Sequence, residues 1–436
     1  MAYTTHCKSV IREEFFKPLF EVFQSAKHRR ECPALDDATW MEAGVRRCLG
    51  IFRSGRDFLQ QLADLHDTPV GVTTFFQSLK SMRRLRLLDE TLAQSRNRMR
   101  RDMPDAFARH ACLDDFDIFA GDGHFIAAAS HDLPAPRGGS RAKSTQAAQA
   151  APAARVATTK HATGHLYTLD LRSHAMSHLT VADQIERKKE HEMRALKRQT
   201  VETLRQGAPK GRKVLYVWDR AGIDFRQWHE WKHGAGIYFL SREKDNMNLD
   251  VLGNHDFDAG DRANHGVLAN QIVGTCAGVS LRRVSYQDPQ TGNIYHYITN
   301  LPASVPPGVV ALLYKARWDV EKVFDEFKNK LAETKAWASS ATAKTIQARL
   351  LCLTHNLMTL MEQTVEKRCG IRNEAEFKRR EQRRAGQPAP ETSAATAVQR
   401  LTQRTVKFIR WLKNHLDLER DWDAATARLA RIYSRM

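Results

Sequence analysis

The chain has 436 residues, more than one hydrophobic core normally serves, so two or three folding units are the starting expectation. Charged residues make up 27% and the hydrophobic set 42%, which excludes a collagenous, coiled-coil or wholly disordered chain. The 68 Lys and Arg outnumber the 50 Asp and Glu and leave a formal net charge of +18, which points to a polyanionic partner, nucleic acid ahead of an anionic membrane.

The opening MAYTTHCKSVIREEFF lacks the basic-then-apolar layout of a signal peptide, and no apolar run reaches the length of a membrane span. A cytoplasmic, nucleoid-associated protein without a membrane partner is expected. The seven cysteines are scattered, odd in number and never spaced as Cys-x-x-Cys, so neither a disulfide framework nor a zinc site is indicated.

Residues 8 to 110 show helical apolar spacing with many Arg and Lys, as in FLQQLADL and FFQSLKSMRRLRLLDETL, and predict an all-α N-terminal domain over 1–110. Two helical segments flank the turn-like Asp67-Thr68-Pro69-Val70-Gly71, the second bearing Lys80, Arg83, Arg84 and Arg86. A helix-turn-helix with that second helix on DNA fits the pattern, as do ordinary packed helices with a solvated basic face.

FDIFAGDGHFIAAA (116–129) is a strand-like apolar run interrupted by Asp122, and the Ala-, Pro-, Gly- and Ser-rich stretch after it predicts a surface loop. HLYTLDLRS and AMSHLTVAD predict two strands turning near Ser173 and His174, followed by a charged helix capped by Asp183. Val214-Leu215-Tyr216-Val217-Trp218 is apolar on both alternating faces, as a strand in the middle of a sheet is, and ends at Asp219. A helix (FRQWHEWKH) and a strand (GIYFLSRE) follow.

Residues 245–301 change to turn formers and alternating segments, with a hairpin turning at Asp288 to Asn293, and predict a β-rich insertion. Helices return over about 307–366, a polar Arg-rich linker covers about 372–396, and two amphipathic helices with Trp411 and Trp422 close the chain. The predicted fold class is α/β, with its core over 111–244 and 302–366 and a linker and helical region over 367–436.

In LLYKARWDVEKVFDEFKNKL, Tyr314, Arg317, Glu321 and Lys328 stand at intervals of three, four and seven, which place them on one helical face beside an apolar stripe. Alone, that spacing also describes a solvated, salt-bridged face. Two further carboxylates, Asp122 and Asp219, occur in or directly after strand-like apolar runs, where a carboxylate is costly unless charge or metal compensates it. Three carboxylates from two strands and a helix are a donor set for a pair of hard divalent cations, which activate the attacking oxygen and stabilise the leaving one in phosphoryl transfer.

On these residues the chain resembles the IS-four family of bacterial insertion-sequence transposases, whose signature Tyr-x2-Arg-x3-Glu-x6-Lys is matched at every interval by Tyr314, Arg317, Glu321 and Lys328. The resemblance covers roughly residues 110–366. It implies a ribonuclease-H-like core in which Asp122, Asp219 and Glu321 bind Mg²⁺, with Mn²⁺ as a substitute. It further implies that Tyr314, Arg317 and Lys328 contact the double-stranded DNA of the element's ends, which are cut and joined to target DNA by a dimer holding two ends.

Trp318 is placed to stack on a base, against which stands a packed position in the core. Arg220 would bind a phosphate or pair with a neighbouring carboxylate. His124, where the family often has a small hydroxyl residue, and Asp219-Arg220-Ala221-Gly222 depart from the family pattern, which keeps Asp117 and Asp224 as lesser candidates. His161 with His165, and Asp256, Asp258 and Asp261, have metal-like spacings but lie in turn-like stretches. The rival expectations are a catalytically silent transposase-derived DNA-binding protein and a ribonuclease-H-like nuclease without strand transfer.

Overall fold

The computed structural model describes residues 9–30, 35–50, 54–66, 71–127, 163–182, 192–331, 335–372 and 404–434. Its centre is one mixed sheet of nine strands in the order β3-β2-β1-β4-β5-β9-β8-β7-β6. The first five are β1 (Phe116–Ile126), β2 (Thr163–Asp170), β3 (Met176–Ala182), β4 (Lys213–Val217) and β5 (Ile237–Arg242). Strands β1, β4 and β5 run parallel, and the β1-β2-β3 meander is antiparallel. Strands β6 (Leu249–Asn254), β7 (Val267–Thr275), β8 (Ser280–Gln287) and β9 (Ile294–Thr299) extend the same sheet, because β9 pairs antiparallel with β5. The β-rich segment is thus a continuation of the central sheet.

Alternation explains why β4 is apolar from Val214 onward. Leu215 and Val217 enter the larger core with Ile118 and Ala120 of β1, while Val214, Tyr216 and Trp218 enter a second core on the opposite face with Phe119. The second face is covered by α6 (Glu192–Lys197), α7 (Val201–Arg205) and α8 (Phe225–Ala235). The charged helix expected over this region is broken: Thr200 caps α7 with its side chain on the Thr203 amide, and Asp183 lies outside the described residues.

The larger core also contains α9 (Pro307–Ala316), α10 (Trp318–Asn329) and the 29-residue α11 (Ala341–Cys369). Against α11 pack α1 (Val10–Gln24), α2 (Asp37–Leu49) and α5 (Met82–Asp102). Gly44 permits the close approach of α2, since a Cβ there would lie 2.6 Å from Leu350 Cδ1. The N-terminal helices therefore share a core with the sheet, and the expected boundary near residue 110 is not a break in packing. Helices α3 (Gly55–His66) and α4 (Val72–Ser78) complete this part, and α12 (Val406–His415) and α13 (Trp422–Ser434) end the chain.

The turn of the expected helix-turn-helix lies at residues outside the described set, as do most of the surface loop after Asp122 and most of the polar linker. Two of the basic residues expected on DNA are committed elsewhere. Arg83 holds both oxygens of Asp37 at 2.6 and 2.8 Å, and the buried Arg84 reaches Asp37 at 3.2 Å and the Leu35 carbonyl at 2.6 Å. Both fasten α5 to α2; Lys80 and Arg86 stay exposed. The described cysteines, Cys48, Cys112, Cys276, Cys352 and Cys369, form no disulfide. No helix among the described residues is long and apolar enough to cross a membrane.

Candidate active site

The register of the two parallel strands builds one side of the site. Ala120 of β1 lies opposite Val217 of β4, both facing the larger core, so Asp122 and Asp219, each two residues further on, come side by side at the ends of that face. Packing on the reverse face fixes this arrangement. The fully buried Trp218 ring lies against Gly121 and Gly222, and a Cβ on Gly121 would stand 2.5 Å from it. Gly121→Ala is therefore expected to lower stability by about 1–3 kcal/mol through overpacking, read as a fall in the denaturant midpoint at unchanged slope.

Local hydrogen bonds hold both aspartates. The Gly123 amide donates to Asp122 Oδ1 at 2.8 Å. Asp219 caps the single helical turn Arg220–Gly222, accepting from the Ala221 amide at 2.7 Å, and its carbonyl accepts from Ser241 Oγ of β5 at 2.9 Å.

Glu321 arrives from the helix covering the same face. Val320, Val323, Phe324 and Phe327 of α10 are buried in the larger core, which leaves Glu321 half-buried at the margin. Between α9 and α10 stands Arg317, buried, donating to Asp122 Oδ2 at 3.1 Å and to Glu321 Oε1 at 2.8 Å. Burial pushes the Asp122 carboxyl above its ordinary range; Arg317 and the Gly123 amide oppose this, and the neighbouring carboxylates of Asp219 and Glu321 add to it. The cluster is thus three carboxylates with one guanidinium between two of them.

Tyr314 lies beside the cluster, its ring 4.9 Å from that of Tyr297 and 5.7 Å from the Arg317 guanidinium, with its hydroxyl pushed up mainly by burial. Trp318 is 56% exposed, which overturns the expectation of a packed position, and its ring lies 5.8 Å from the Arg317 guanidinium. Lys328 is exposed two turns further along α10. Arg220 pairs with the exposed Asp245 at 3.2 Å.

The lesser candidates have structural partners. Asp117, at the far end of β1, is held by Arg212 at 2.5 Å and Arg100 at 3.1 Å. Asp224 caps α8 and pairs with Lys197. His165 is buried against His178 at 3.2 Å, and burial lowers its pKa to about 3; His161 lies outside the described residues. Asp258 and Asp261 accept turn and cap amides, and His124 stacks on Phe324 at 4.8 Å.

Among the described residues no group of three His, Cys, Asp or Glu side chains closes around a point that could hold a metal ion. The donor chemistry nevertheless suits a hard divalent cation: carboxylate oxygens from within β1, from just past the end of β4 and from a helix, with Arg317 spanning Asp122 and Glu321 as the cation already present. The residues that reading the sequence did not single out are Ser241, which fixes the Asp219 backbone, and Glu326 of α10. Glu326 lies 2.9 Å from His355 and 2.5 Å from Arg404 behind the helix. Neither belongs to a spacing pattern, so no local signal marks it.

The sequence model of the family described as Transposase DDE domain matches residues 116–357, from the first residue of β1 to within α11. Curated proteins yielded no match.

Proposed function

The chain belongs to the transposase DDE domain family, and from that premise we propose that this DDE-type transposase is of the IS-four kind and moves an insertion sequence by cut and paste. It binds the element's terminal inverted repeats, cuts the DNA at each end and joins the freed 3′ hydroxyls to a target, as a dimer holding two ends. On this reading residues 111–244 and 302–366 form a ribonuclease-H-like core, 245–301 an insertion in it, and the helical regions 1–110 and 367–436 assist in holding DNA.

The observation that carries the reading is that Arg317 bridges Asp122 and Glu321 while Asp219 lies beside Asp122 on the neighbouring strand, inside the segment that matches the family. Asp122, Asp219 and Glu321 would hold Mg²⁺ or Mn²⁺, whose chemistry when bound is to activate the attacking oxygen and stabilise the leaving one. Arg317 supplies a planar donor pair suited to a phosphate once its carboxylates have another cation, and Lys328 a second positive charge on the same helix. The exposed ring of Trp318 offers a base a stacking surface beside the scissile phosphate. Trp318→Ala should leave stability within about 0.5 kcal/mol, as surface substitutions do. It should also weaken binding to end DNA with an unpaired terminal base by about tenfold, corresponding to roughly 1–3 kcal/mol of stacking, in a fluorescence-anisotropy titration.

The test of the function is incubation of the full chain with Mg²⁺, a duplex ending in the element's own repeat and a target duplex. Cleavage followed by joined product supports transposition. Cleavage with no joining would favour a nuclease, and tight binding with no cleavage a silent DNA-binding protein.

A further inference from the structure

Helix α10, which carries Glu321, is short and begins at a break. Arg317 ends α9 and opens α10, and no side chain caps that start. Its front is tied to Arg317 and its apolar stripe lies on the sheet. Behind it, Glu326 is fully withdrawn from water and so needs a fixed partner.

That partner comes from outside the segment matched by the family. Arg404, 2% exposed and directly ahead of α12, places Nη1 2.5 Å from Glu326 Oε2 and Nε 2.8 Å from Glu362 Oε2 of α11, and Nη2 donates to Thr359 Oγ1. His355 of α11 lies 2.9 Å from the other Glu326 oxygen. Despite burial, Arg404 and His355 hold the Glu326 carboxyl down to about 2. One guanidinium from the C-terminal region thus ties α10 to α11 through two carboxylates. The C-terminal region is itself fastened to the N-terminal helices, where Ser9 Oγ donates to the His415 carbonyl at 2.7 Å.

We propose that Arg404 is a positioning residue, by which the C-terminal segment sets the placement of α10 and hence of Glu321 without touching DNA. This rests on the reading that Glu321 belongs to the reaction centre. A buried fork of donors suits the task, because a planar guanidinium fixes the carboxylates it bridges in direction as well as distance.

The test uses the full chain and a set of variants: Arg404→Met; Arg404→Met combined with Glu326→Gln and Glu362→Gln, which leaves no carboxylate of the cluster stranded; and Arg404→Lys. Hydrogen exchange is read over 318–329, and the single-turnover cleavage rate is read at saturating end DNA. The expected result for the triple variant is faster exchange in α10 with β1 and β4 unchanged, DNA affinity within about twofold, and a cleavage rate lower by about ten- to a hundredfold, as when a supporting contact behind a reaction centre is lost. Arg404→Lys should recover part of the rate. Unchanged exchange and rate in the triple variant would overturn the proposal, as would exchange raised uniformly through the fold with no selective loss of rate. Glu321→Gln in the same assay separates the two readings: full activity in that variant removes the reaction centre and the proposal with it. Its inactivity beside an undiminished triple variant removes the proposal alone.

Discussion

Glu321→Gln is expected to lower the single-turnover rate of Mg²⁺-dependent end cleavage by on the order of 10²–10³-fold or more while leaving the affinity for end DNA within about twofold. The amide has the shape of the carboxylate and still offers Arg317 an oxygen, so the contact at 2.8 Å survives in weaker form and α10 keeps its place. What disappears is one negative charge of the cluster. If that charge serves to hold a divalent cation, chemistry stops and binding does not; equal cleavage by the variant and the native chain would remove Glu321 from the site. The substitution also relieves Asp122 of one of the carboxylates that raise it, so its carboxyl should titrate lower in the variant. An NMR titration of the Asp122 side chain checks this without reference to activity.

Asp37→Ala is expected to destabilise the protein by about 3–5 kcal/mol, because it leaves Arg83 and the buried Arg84 without their shared carboxylate. Asp37 is 1% exposed and also accepts from the Arg30 amide at 2.9 Å. Burial alone would raise its carboxyl, but Arg83, that amide and Arg84 together hold it below the ordinary value. A carboxyl lowered in the folded state adds stability that is present above its unfolded range and is lost as pH falls through its folded value. Acid unfolding should therefore lose part of its pH dependence in the variant, whose urea midpoint near neutral pH should already be low. The comparison decides what the two arginines do. Arg83→Ala and Arg84→Ala should follow Asp37→Ala in stability and leave DNA affinity of the folded protein unchanged. Selective loss of DNA affinity from either would return it to a DNA-facing role.

The sequence makes the larger outline of this structure legible and hides its couplings. Val214 to Trp218 reads as a central strand because alternation gives both faces apolar residues, and the two faces do enter separate cores. Asp122, Asp219 and the Tyr314-Arg317-Glu321-Lys328 face were legible as candidates, since carboxylates in or directly after apolar strands are costly and a helical face follows from spacing. The register that sets Ala120 opposite Val217 was not, because strand pairing depends on partners distant in sequence. Arg83 and Arg84 look like a solvated basic face until Asp37 folds beneath them, and Trp318 looks like a core residue until α10 turns it outward. Arg404 is indistinguishable in sequence from the arginines preceding it. Only the fold shows which one reaches Glu326.

The shared core has a consequence for how such a chain could diversify. At Gly44 the second helix sits so close to Leu350 that a larger residue would have to displace that side chain, and α11 in turn packs on β3 at the end of the sheet. Exchanging the helical N-terminus for that of a relative, as modular regulators exchange binding heads, would strip apolar surface from α11 and invite aggregation. Substitution is accessible instead at exposed positions such as Lys80 and Arg86, which leave the interlocked interior alone. Change in this architecture is therefore tolerated first on its skin, one substitution at a time.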